Sequence, residues 1–195
     1  AYGVYEFRCR NNEQTLYPLG EIKQALDKQL DLLCTLKFQP EELNYLRSFR
    51  FIKSDFVDYL ELFQFKRRFV HTSVDEQNWL NIRIEGPLVQ ALFFEIFVLS
   101  IVNELYYQPL TNDSVFVEGE RRLQEKVVLL QKIAQEENNN DKFLVSDFGT
   151  RRRFGRVWHR HVVEVLAKAA PGIFKGTSNV DLARQLNLVP IGTMG

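Results

Sequence analysis

A short apolar run that ends at a glycine and is followed by three arginines occupies residues 143–153, which read Phe143-Leu144-Val145-Ser146-Asp147-Phe148-Gly149-Thr150-Arg151-Arg152-Arg153. The apolar part is typical of a strand, and the arginines lie at its carboxyl end. Arginine binds phosphate and carboxylate through a planar fork of N–H donors, so three of them at the end of a strand suit a small, multiply charged anion. A run of like charges is also often a solvated turn, and the local sequence leaves both interpretations open.

The chain after residue 141 alternates between strand and helix patterns at short intervals. It predicts strands at 143–148, 173–176 and 188–193 and helices at 156–169 and 180–187. A βαβαβ run of this kind implies parallel strands joined by crossover helices, as in a β/α barrel or a doubly wound sheet. Because ligands of both architectures bind beyond the carboxyl ends of the strands, we expect a binding site where these three strands end.

The second and third strand ends are less specific than the first. The second reads Lys175-Gly176-Thr177-Ser178-Asn179-Val180-Asp181. There, Ser178 or Asn179 is placed to cap the next helix, and free amides at the helix start are suited to a phosphate. A capping box of Ser178 with Asp181 explains the same residues without a ligand. The third, at residues 190–195, offers the hydroxyl of Thr193 and by itself indicates little.

The chain before residue 141 mixes helices with antiparallel strands. Apolar–polar alternation predicts strands at 3–10, 65–72 and 80–84, the last two as a hairpin, and apolar residues at steps of three and four predict helices at 22–33, 40–46, 55–63, 88–107 and 114–136. Lys66, Arg67 and Arg68 are expected in a strand, pointing to alternating faces and solvated. The polar run 138–141 marks the boundary between an amino-terminal α/β domain at 1–140 and the βαβαβ part at 141–195.

The composition argues against several classes of function. The 25 Lys and Arg residues equal the 25 Asp and Glu residues, so the chain has no overall positive field of the kind that drives non-specific binding to nucleic acid. Cys9 and Cys34 form no C-x-x-C pair and no disulfide framework, which fits a reducing compartment, and we expect the cytoplasm. His159 and His161 are two residues apart on a predicted helix and so lie on different faces, and no shared metal ion is expected.

The most apolar segment, Leu88–Tyr107, is about as long as a membrane span. The segment is interrupted by Gln90, Glu95, Asn103 and Glu104. A carboxylate near the middle of a span costs roughly 2.5 to 3.5 kcal/mol, so we expect a buried helix and no membrane partner. Residues 1–10 also lack the basic and apolar regions of a signal peptide. Since the chain begins inside a predicted strand and ends at Gly195 without a natural stop, we expect both ends to be truncated.

Three motifs, in their order and spacing, resemble nicotinate phosphoribosyltransferase. They are Asp147-Phe148-Gly149-Thr150-Arg151-Arg152-Arg153-Phe154, then Gly176-Thr177-Ser178-Asn179-Val180-Asp181-Leu182-Ala183-Arg184, then Pro190-Ile191-Gly192-Thr193-Met194. Upstream, the segments at 5–10, 51–56 and 82–87 resemble the amino-terminal half of that family. The resemblance covers essentially the whole chain, although no single short motif carries it.

The resemblance implies an enzyme of NAD salvage. Such an enzyme joins nicotinate to the ribose of phosphoribosyl pyrophosphate, giving nicotinate mononucleotide and pyrophosphate with Mg²⁺ present and with coupled hydrolysis of ATP as co-substrate. The implied fold is α/β: an α+β amino-terminal domain followed by an irregular parallel β/α barrel of the type II phosphoribosyltransferase kind, with residues 141–195 as the start of the barrel. A homodimer with active sites at the subunit interface is implied as well.

The resemblance also assigns roles to residues of the strand ends. Arg151 is implied to contact the phosphoribosyl or nicotinate anion, with Arg152 or Arg153 assisting. Phe148 is implied to bind substrate as well. Ser178 and Asn179 are implied to lie at the phosphate end of the substrate, and Thr193 is implied to contact the nicotinate. If the arginine segment is extended, Arg151 and Arg153 share a face and Arg152 points away. Displacement at the anomeric carbon builds positive charge on the ribose, so the protein mainly positions two anions, and no protein nucleophile or protein metal ligand is assigned.

Two parts of the family pattern are missing. The family's Gly-Thr-x-x-His motif ends in a histidine that ATP phosphorylates, and this chain stops at Gly195, one position short of it. A tyrosine-bearing segment, which in the family precedes the first strand and stacks on the base from the partner subunit, is absent before Ala1. We therefore expect these 195 residues alone to be inactive and unable to couple ATP hydrolysis.

Alternatives to this function come from the same class and from different ones. A sibling enzyme would use nicotinamide or quinolinate as the pyridine. A nucleic-acid-binding module would use the basic helix start formed by Arg151, Arg152, Arg153, Arg156 and Arg160. The zero net charge and the lack of interleaved aromatic residues for base stacking count against that module. A non-catalytic protein is a third possibility.

Overall fold

The computed structural model describes residues 1–7, 19–136 and 143–192. The chain divides into two compact units, Ala1–Tyr106 and Tyr107–Gly195. The predicted domain boundary between residues 140 and 141 lies outside the described residues and stays a prediction. The long helix that precedes this boundary belongs to the second unit.

The first unit contains a three-stranded antiparallel sheet. Its strands are β1 (Tyr2–Glu6), β2 (Val70–Val74) and β3 (Leu80–Pro87), in the order β1-β3-β2. The predicted hairpin is confirmed, because β2 pairs with β3 across a turn at residues 75–79. Alternate residues of β3 are buried, as the period of a half-buried strand requires. The predicted strand at 3–10 is confirmed in its first part, whereas residues 8–10 lie outside the described residues.

The segment before β2 differs from its prediction. Arg67–Phe69 form a 3-10 turn instead of a strand, and the Arg67 side chain, which is 34% exposed, is ion-paired and only partly solvated. The Arg67 guanidinium donates hydrogen bonds to Asp27 at 2.7 Å and to Asp31 at 3.2 Å. Both carboxylates belong to a helix that is about 40 residues earlier in the sequence, as the separation of Asp27 and Arg67 shows. The alternation within residues 65–72 therefore could not predict these contacts. Lys66 and Arg68 are exposed, as expected.

Four helices pack with the sheet or with one another: α1 (Lys23–Leu33), α2 (Pro40–Arg47), α3 (Ser54–Leu62) and α4 (Leu88–Tyr107). Their predicted positions are confirmed. The core of the unit joins α1, β3 and α4 through Leu26, Ile82 and Phe94, among others. Leu26 and Phe94 are fully buried, so the apolar periodicity in the sequence corresponds to real packing.

The length and apolar composition of α4 match those of a membrane span, and a core helix meets the same criteria. One face of α4 packs into the core through Ala91, Phe94, Val98 and Val102. This face of the helix belongs to the core of the first unit, whereas Val89, Leu92 and Ile96 of the same helix are half-exposed or more. That the protein has no membrane partner stays a prediction.

The second unit contains α5 (Asp113–Glu136), β4 (Val145–Asp147), α6 (Arg156–Ala169), β5 (Phe174–Thr177) and α7 (Val180–Gln185). β4 and β5 are parallel, which confirms the predicted crossover through α6. Val163, Phe174 and Leu182 form its small core. Gly119 lets α5 approach α6, because a Cβ at residue 119 would lie 2.9 Å from the Trp158 ring.

The predicted third strand at 188–193 is reduced to a single parallel bridge between Thr177 and Pro190 in the part that the structure describes. The Thr177 amide donates to the Val189 carbonyl at 3.3 Å, and the Ile191 amide donates to the Thr177 carbonyl at 2.9 Å. β5 ends at Thr177, so residues after 190 have no further strand backbone along which to pair. Residues 193–195 lie outside the described residues. The α/β class is confirmed, whereas closure into a barrel stays a prediction.

Candidate functional site

The carboxyl ends of β4 and β5 lie side by side. Asp147, the last residue of β4, is in register with Thr177, the last residue of β5. Just beyond them, the Ser178 amide donates to the Asp147 carbonyl oxygen at 2.8 Å. The prediction that the first two strand ends meet is therefore confirmed. The described part of the third, residues 190–192, adjoins them through the bridge to Thr177.

The arginines follow the end of β4 in a tight turn. Thr150–Arg152 form a 3-10 helix in which the Arg152 amide donates to the Gly149 carbonyl at 2.9 Å. The expectation that Arg151 and Arg153 share a face holds only for an extended chain, so it does not apply to this turn. A 3-10 turn has about three residues per turn, so successive side chains leave it in different directions. Arg151 and Arg152 are exposed, whereas Arg153 is half-buried.

Phe148 lies between the end of β4 and the arginine turn. Its side chain is 47% exposed. The exposed ring is available for contact with a planar substrate. Its assignment as a substrate-binding residue stays a prediction.

The second strand end turns sharply at Gly176. Its φ of 147° is a conformation that favours glycine, and a Cβ there would lie 2.0 Å from the Val189 carbonyl oxygen. The following helix is capped by Asn179, whose Oδ1 accepts from the Leu182 amide at 3.0 Å. The alternative of a capping box formed by Ser178 and Asp181 is therefore wrong, because the cap lies one residue later.

The amides expected to be free for a phosphate at this turn are partly used by the protein itself. The Ser178 amide donates to the Asp147 carbonyl, and the Asn179 amide donates to Thr177 Oγ1 at 3.0 Å. Ser178 and Asn179 are both half-buried beside the end of β4. Any anion contact from Ser178 would therefore come from its hydroxyl. The predicted roles of Ser178 and Asn179 stay predictions, and Thr193 lies outside the described residues.

A buried carboxylate that the motif analysis did not single out connects these loops. Asp147 Oδ1 accepts from the Gly149 amide at 2.9 Å. Its Oδ2 accepts from Thr177 Oγ1 at 2.5 Å and faces His159 Nε2 at 2.9 Å. The Asp147 side chain is 10% exposed, and those of His159 and Thr177 are buried. One acid thus binds the start of the arginine turn, the end of β5 and the first turns of α6.

The donors around Asp147 keep it ionised. Burial by itself would raise the pKa of Asp147, but the hydrogen bonds from His159 and Thr177 outweigh burial and lower the pKa below its ordinary value. An ionised carboxylate only accepts, so the imidazole nitrogen facing it is a donor, and we assign the proton to Nε2. His159 Nδ1 is buried and has no hydrogen-bond partner in the described residues.

The limited space around this carboxylate explains why residue 149 is a glycine. A Cβ at residue 149 would lie 2.9 Å from Asp147 Oδ1 and 3.3 Å from His159 Nε2. The φ of Gly149 is −79°, which any residue adopts, so contact and not backbone strain requires the glycine. His161, by contrast, turns to α5, where its Nε2 lies 2.6 Å from Glu120 Oε2. The two histidines thus have separate partners, as their spacing predicts.

Metal binding by the protein alone has no support in the described ranges. There, no three His, Cys, Asp or Glu side chains come together in a way that could hold an ion. Two parallel strand ends, joined through the Asp147 carboxylate and followed by the exposed Arg151 and Arg152, define an α/β protein whose candidate ligand site lies beyond the carboxyl ends of its strands.

Comparisons with known proteins narrow this class. Residues 1–103 match the profile of the nicotinate phosphoribosyltransferase (NAPRTase) N-terminal domain, and residues 143–195 match that of the nicotinate phosphoribosyltransferase (NAPRTase) family. The chain belongs to the nicotinate phosphoribosyltransferase family. The resemblance seen in the sequence motifs is thereby confirmed.

Individual relatives agree with this family. The chain is 60% identical over 195 residues to the nicotinate phosphoribosyltransferase of Acinetobacter baumannii and 59% identical to that of Neisseria meningitidis serogroup C. It covers 48% of each of them, so the chain spans about half the length of the curated relatives it matches. A solved nicotinate phosphoribosyltransferase from Vibrio cholerae has a TM-score of 0.88 and 26% identity, and the match covers all of this chain and 45% of that one. The corresponding structure from Porphyromonas gingivalis has a TM-score of 0.82, 26% identity and 47% coverage.

Proposed function

We propose that this protein transfers the phosphoribosyl group of phosphoribosyl pyrophosphate to nicotinate, forming nicotinate mononucleotide and pyrophosphate in NAD salvage. The observation that supports this most is the 60% identity to the Acinetobacter baumannii nicotinate phosphoribosyltransferase across all 195 residues, strand ends included. In this reaction the pyridine nitrogen forms a bond to the ribose anomeric carbon. The bond from that carbon to the pyrophosphate oxygen breaks, and pyrophosphate leaves with the electron pair.

The exposed arginine turn fits the demands of this displacement. The ribose gains positive charge as the bond to pyrophosphate breaks, so catalysis consists mainly of positioning both reactants and stabilising the departing anion. Arg151 and Arg152 are exposed on the turn that follows β4, where a di- or triphosphate-like anion is accessible to them. We assign Arg151 the first anion contact, with Arg152 or Arg153 assisting, and Phe148 a contact with the substrate.

The second strand end and the third complete the proposed site. Ser178 and Asn179 adjoin the end of β4 and are proposed to lie at the phosphate end of the substrate. Thr193 is proposed to contact nicotinate. The reaction needs no nucleophile from the protein at the ribose, and the buried pair of Asp147 and His159 is too enclosed to serve as one.

Mg²⁺ and ATP are proposed as cofactor and co-substrate on the ground of the family alone. Mg²⁺ usually keeps several waters and is held by one or two carboxylates together with substrate phosphates, and bound in this way it would neutralise charge on the pyrophosphate. The described residues offer no group of three ligands, so we assign none of them to the metal. A homodimer, a cytoplasmic location and the start of an irregular barrel at the second unit are proposed on the same ground.

Product formation from a panel of pyridines tests the proposal. The full-length protein is incubated with phosphoribosyl pyrophosphate, Mg²⁺ and either nicotinate, nicotinamide or quinolinate, with and without ATP, and the mononucleotide is separated by chromatography. We expect nicotinate mononucleotide, more of it with ATP, and little product from the other two. Preference for nicotinamide or quinolinate would move the assignment to the sibling enzyme. The same assay on the 195 residues alone is expected to show no ATP-stimulated product.

Binding by two arginine variants separates the anion site from a nucleic-acid site. Arg151→Ala is compared by calorimetry with Arg156→Ala, an exposed arginine at the start of α6 to which no substrate role is assigned. Loss of a charge-assisted contact in Arg151→Ala is expected to weaken the binding of phosphoribosyl pyrophosphate about tenfold or more, while Arg156→Ala changes little. Equal losses in both, accompanied by salt-sensitive binding of DNA or RNA, would support the nucleic-acid module, which the family membership does not favour.

A further inference from the structure

We infer that His159 is a positioning residue for the anion site: through Asp147 it holds the arginine turn and the end of β5 in the arrangement that binds phosphoribosyl pyrophosphate. The inference rests on the proposed function, and it concerns a residue that neither the motifs nor the reaction chemistry uses. His159 lies one turn into α6, where its own amide donates to the Gly155 carbonyl at 2.9 Å. Its side chain is buried.

The contacts of Asp147 show what His159 can control. The carboxylate reaches three separate parts of the second unit: the Gly149 amide, Thr177 Oγ1 and His159 Nε2. The Gly149 contact fixes the residue whose carbonyl oxygen closes the arginine turn by accepting from the Arg152 amide. The orientation of this carboxylate therefore sets the position from which Arg151 and Arg152 leave the strand.

The same carboxylate also reaches the second strand end. Thr177 Oγ1 donates to Asp147 and in turn accepts from the Asn179 amide, and Asn179 caps α7. A tilt of the carboxylate thus displaces the Ser178 and Asn179 loop together with the arginine turn. Both proposed anion-binding loops are thus hydrogen-bonded to the same carboxylate.

His159 is the contact that fixes this anchor from the helix side. Its Nδ1 has no hydrogen-bond partner in the described part of the chain, so the hydrogen bond of the imidazole is directed to Asp147. A buried, ionised carboxylate is stabilised by the donors that hydrogen-bond to it. When one donor is removed, the carboxylate must move to gain another. Without His159, the nearest movement available to Asp147 carries Gly149 or Thr177 with it. This predicts an altered anion site and not only a less stable fold.

Substitutions at two histidines of α6 test the inference in the full-length protein. His159→Leu removes the donor and keeps the volume approximately, whereas His159→Gln keeps an amide donor near the position of Nε2. His161→Leu is the matched control, since it removes a histidine from the same helix whose partner is Glu120. Each variant is measured for thermal unfolding, for the dissociation constant of phosphoribosyl pyrophosphate by calorimetry, and for the KM of nicotinate.

We expect His159→Leu to weaken the binding of phosphoribosyl pyrophosphate about tenfold, with a smaller change in the KM of nicotinate. His159→Gln restores most of the affinity, and His161→Leu leaves it at the wild-type value even where its melting temperature falls. A folded His159→Leu protein with wild-type affinity, or an equal loss in His161→Leu, would overturn the inference. Should His159→Leu fail to fold, His159→Asn replaces it with the same expectations, because its shorter amide keeps a polar group but does not reach Asp147.

The outcomes also separate this inference from the proposed function. If the wild-type protein does not bind phosphoribosyl pyrophosphate, the proposed function fails, and the inference fails with it. If the wild-type protein binds and turns over the substrate while His159→Leu does so equally well, the function stands and the positioning role is wrong.

Discussion

The motif that contains Asp147 predicts a role for the arginines that follow it but does not predict a role for Asp147 itself. In the sequence it stands two residues before Gly149 as part of a motif whose arginines carry the obvious chemistry. In the structure it is the buried acceptor for three donors from three segments. Nothing in the spacing of Asp147, His159 and Thr177 predicts this, because the contact depends on how α6 packs on the two strands.

Gly149 gives the first prediction at this scale. Gly149→Ala places a methyl group 2.9 Å from Asp147 Oδ1, so the carboxylate or the turn must move. We expect a loss of about 1 to 3 kcal/mol in stability and weaker binding of phosphoribosyl pyrophosphate. Gly172→Ala is the control, since a Cβ there meets nothing within 4 Å. Calorimetric melting of the full-length protein and substrate titration check both, and equal behaviour of the two variants would contradict the proposed crowding.

The ionisation of Asp147 gives a prediction for pH. Its folded pKa is lowered, so below its ordinary value of 3.8 the unfolded chain binds more protons than the folded one. The stability that the carboxylate contributes is therefore present above that value and is lost as the pH falls through the folded pKa. Asp147→Asn lacks this contribution at every pH. We expect the difference in melting temperature between wild type and Asp147→Asn to shrink as the pH is lowered below about 4. A constant difference would show that the charge has no part in it.

At the scale of the element, local periodicity in the sequence predicted the positions of most helices and of the hairpin. The apolar spacing in residues 156–169 gives the bounds of α6 as the structure has them, and the hairpin of β2 and β3 follows from alternation and a polar turn. The predictions failed where the conformation depends on a contact with a residue far away in the sequence. Arg67 turns toward carboxylates of α1, and the third strand is limited to one bridge because β5 ends at Thr177. The convergence of the strand ends was predictable from topology, whereas the carboxylate that ties them was not.

The start of α7 provides a test at this scale. Asn179 Oδ1 accepts from the Leu182 amide, so Asn179→Ala removes the cap and is expected to destabilise by about 1 kcal/mol. Asn179→Asp keeps an accepting oxygen and should restore stability. Ser178→Ala, in contrast, should leave the melting temperature nearly unchanged and weaken substrate binding if its hydroxyl lies at the phosphate end. Thermal melting and calorimetric titration of the three variants separate capping from binding. A loss of stability in Ser178→Ala would support the capping box of Ser178 and Asp181 and contradict a cap formed by Asn179 alone.

At the scale of the whole molecule, the question is whether α4 packs against protein or lies in a membrane. Its 20 residues are apolar enough for a span, yet Phe94 is fully buried in the first unit against Phe65, with ring centroids 4.7 Å apart. If α4 is a core helix in solution, Phe94→Ala leaves a cavity and should cost about 3 to 5 kcal/mol in detergent-free buffer. Ile96→Ala, at a position 50% exposed on the same helix, should cost far less. The full-length protein should also remain in the supernatant after high-speed centrifugation of a lysate. Recovery in the membrane pellet, with Phe94→Ala and Ile96→Ala equally tolerated, would mean that lipid and not the protein core surrounds this helix.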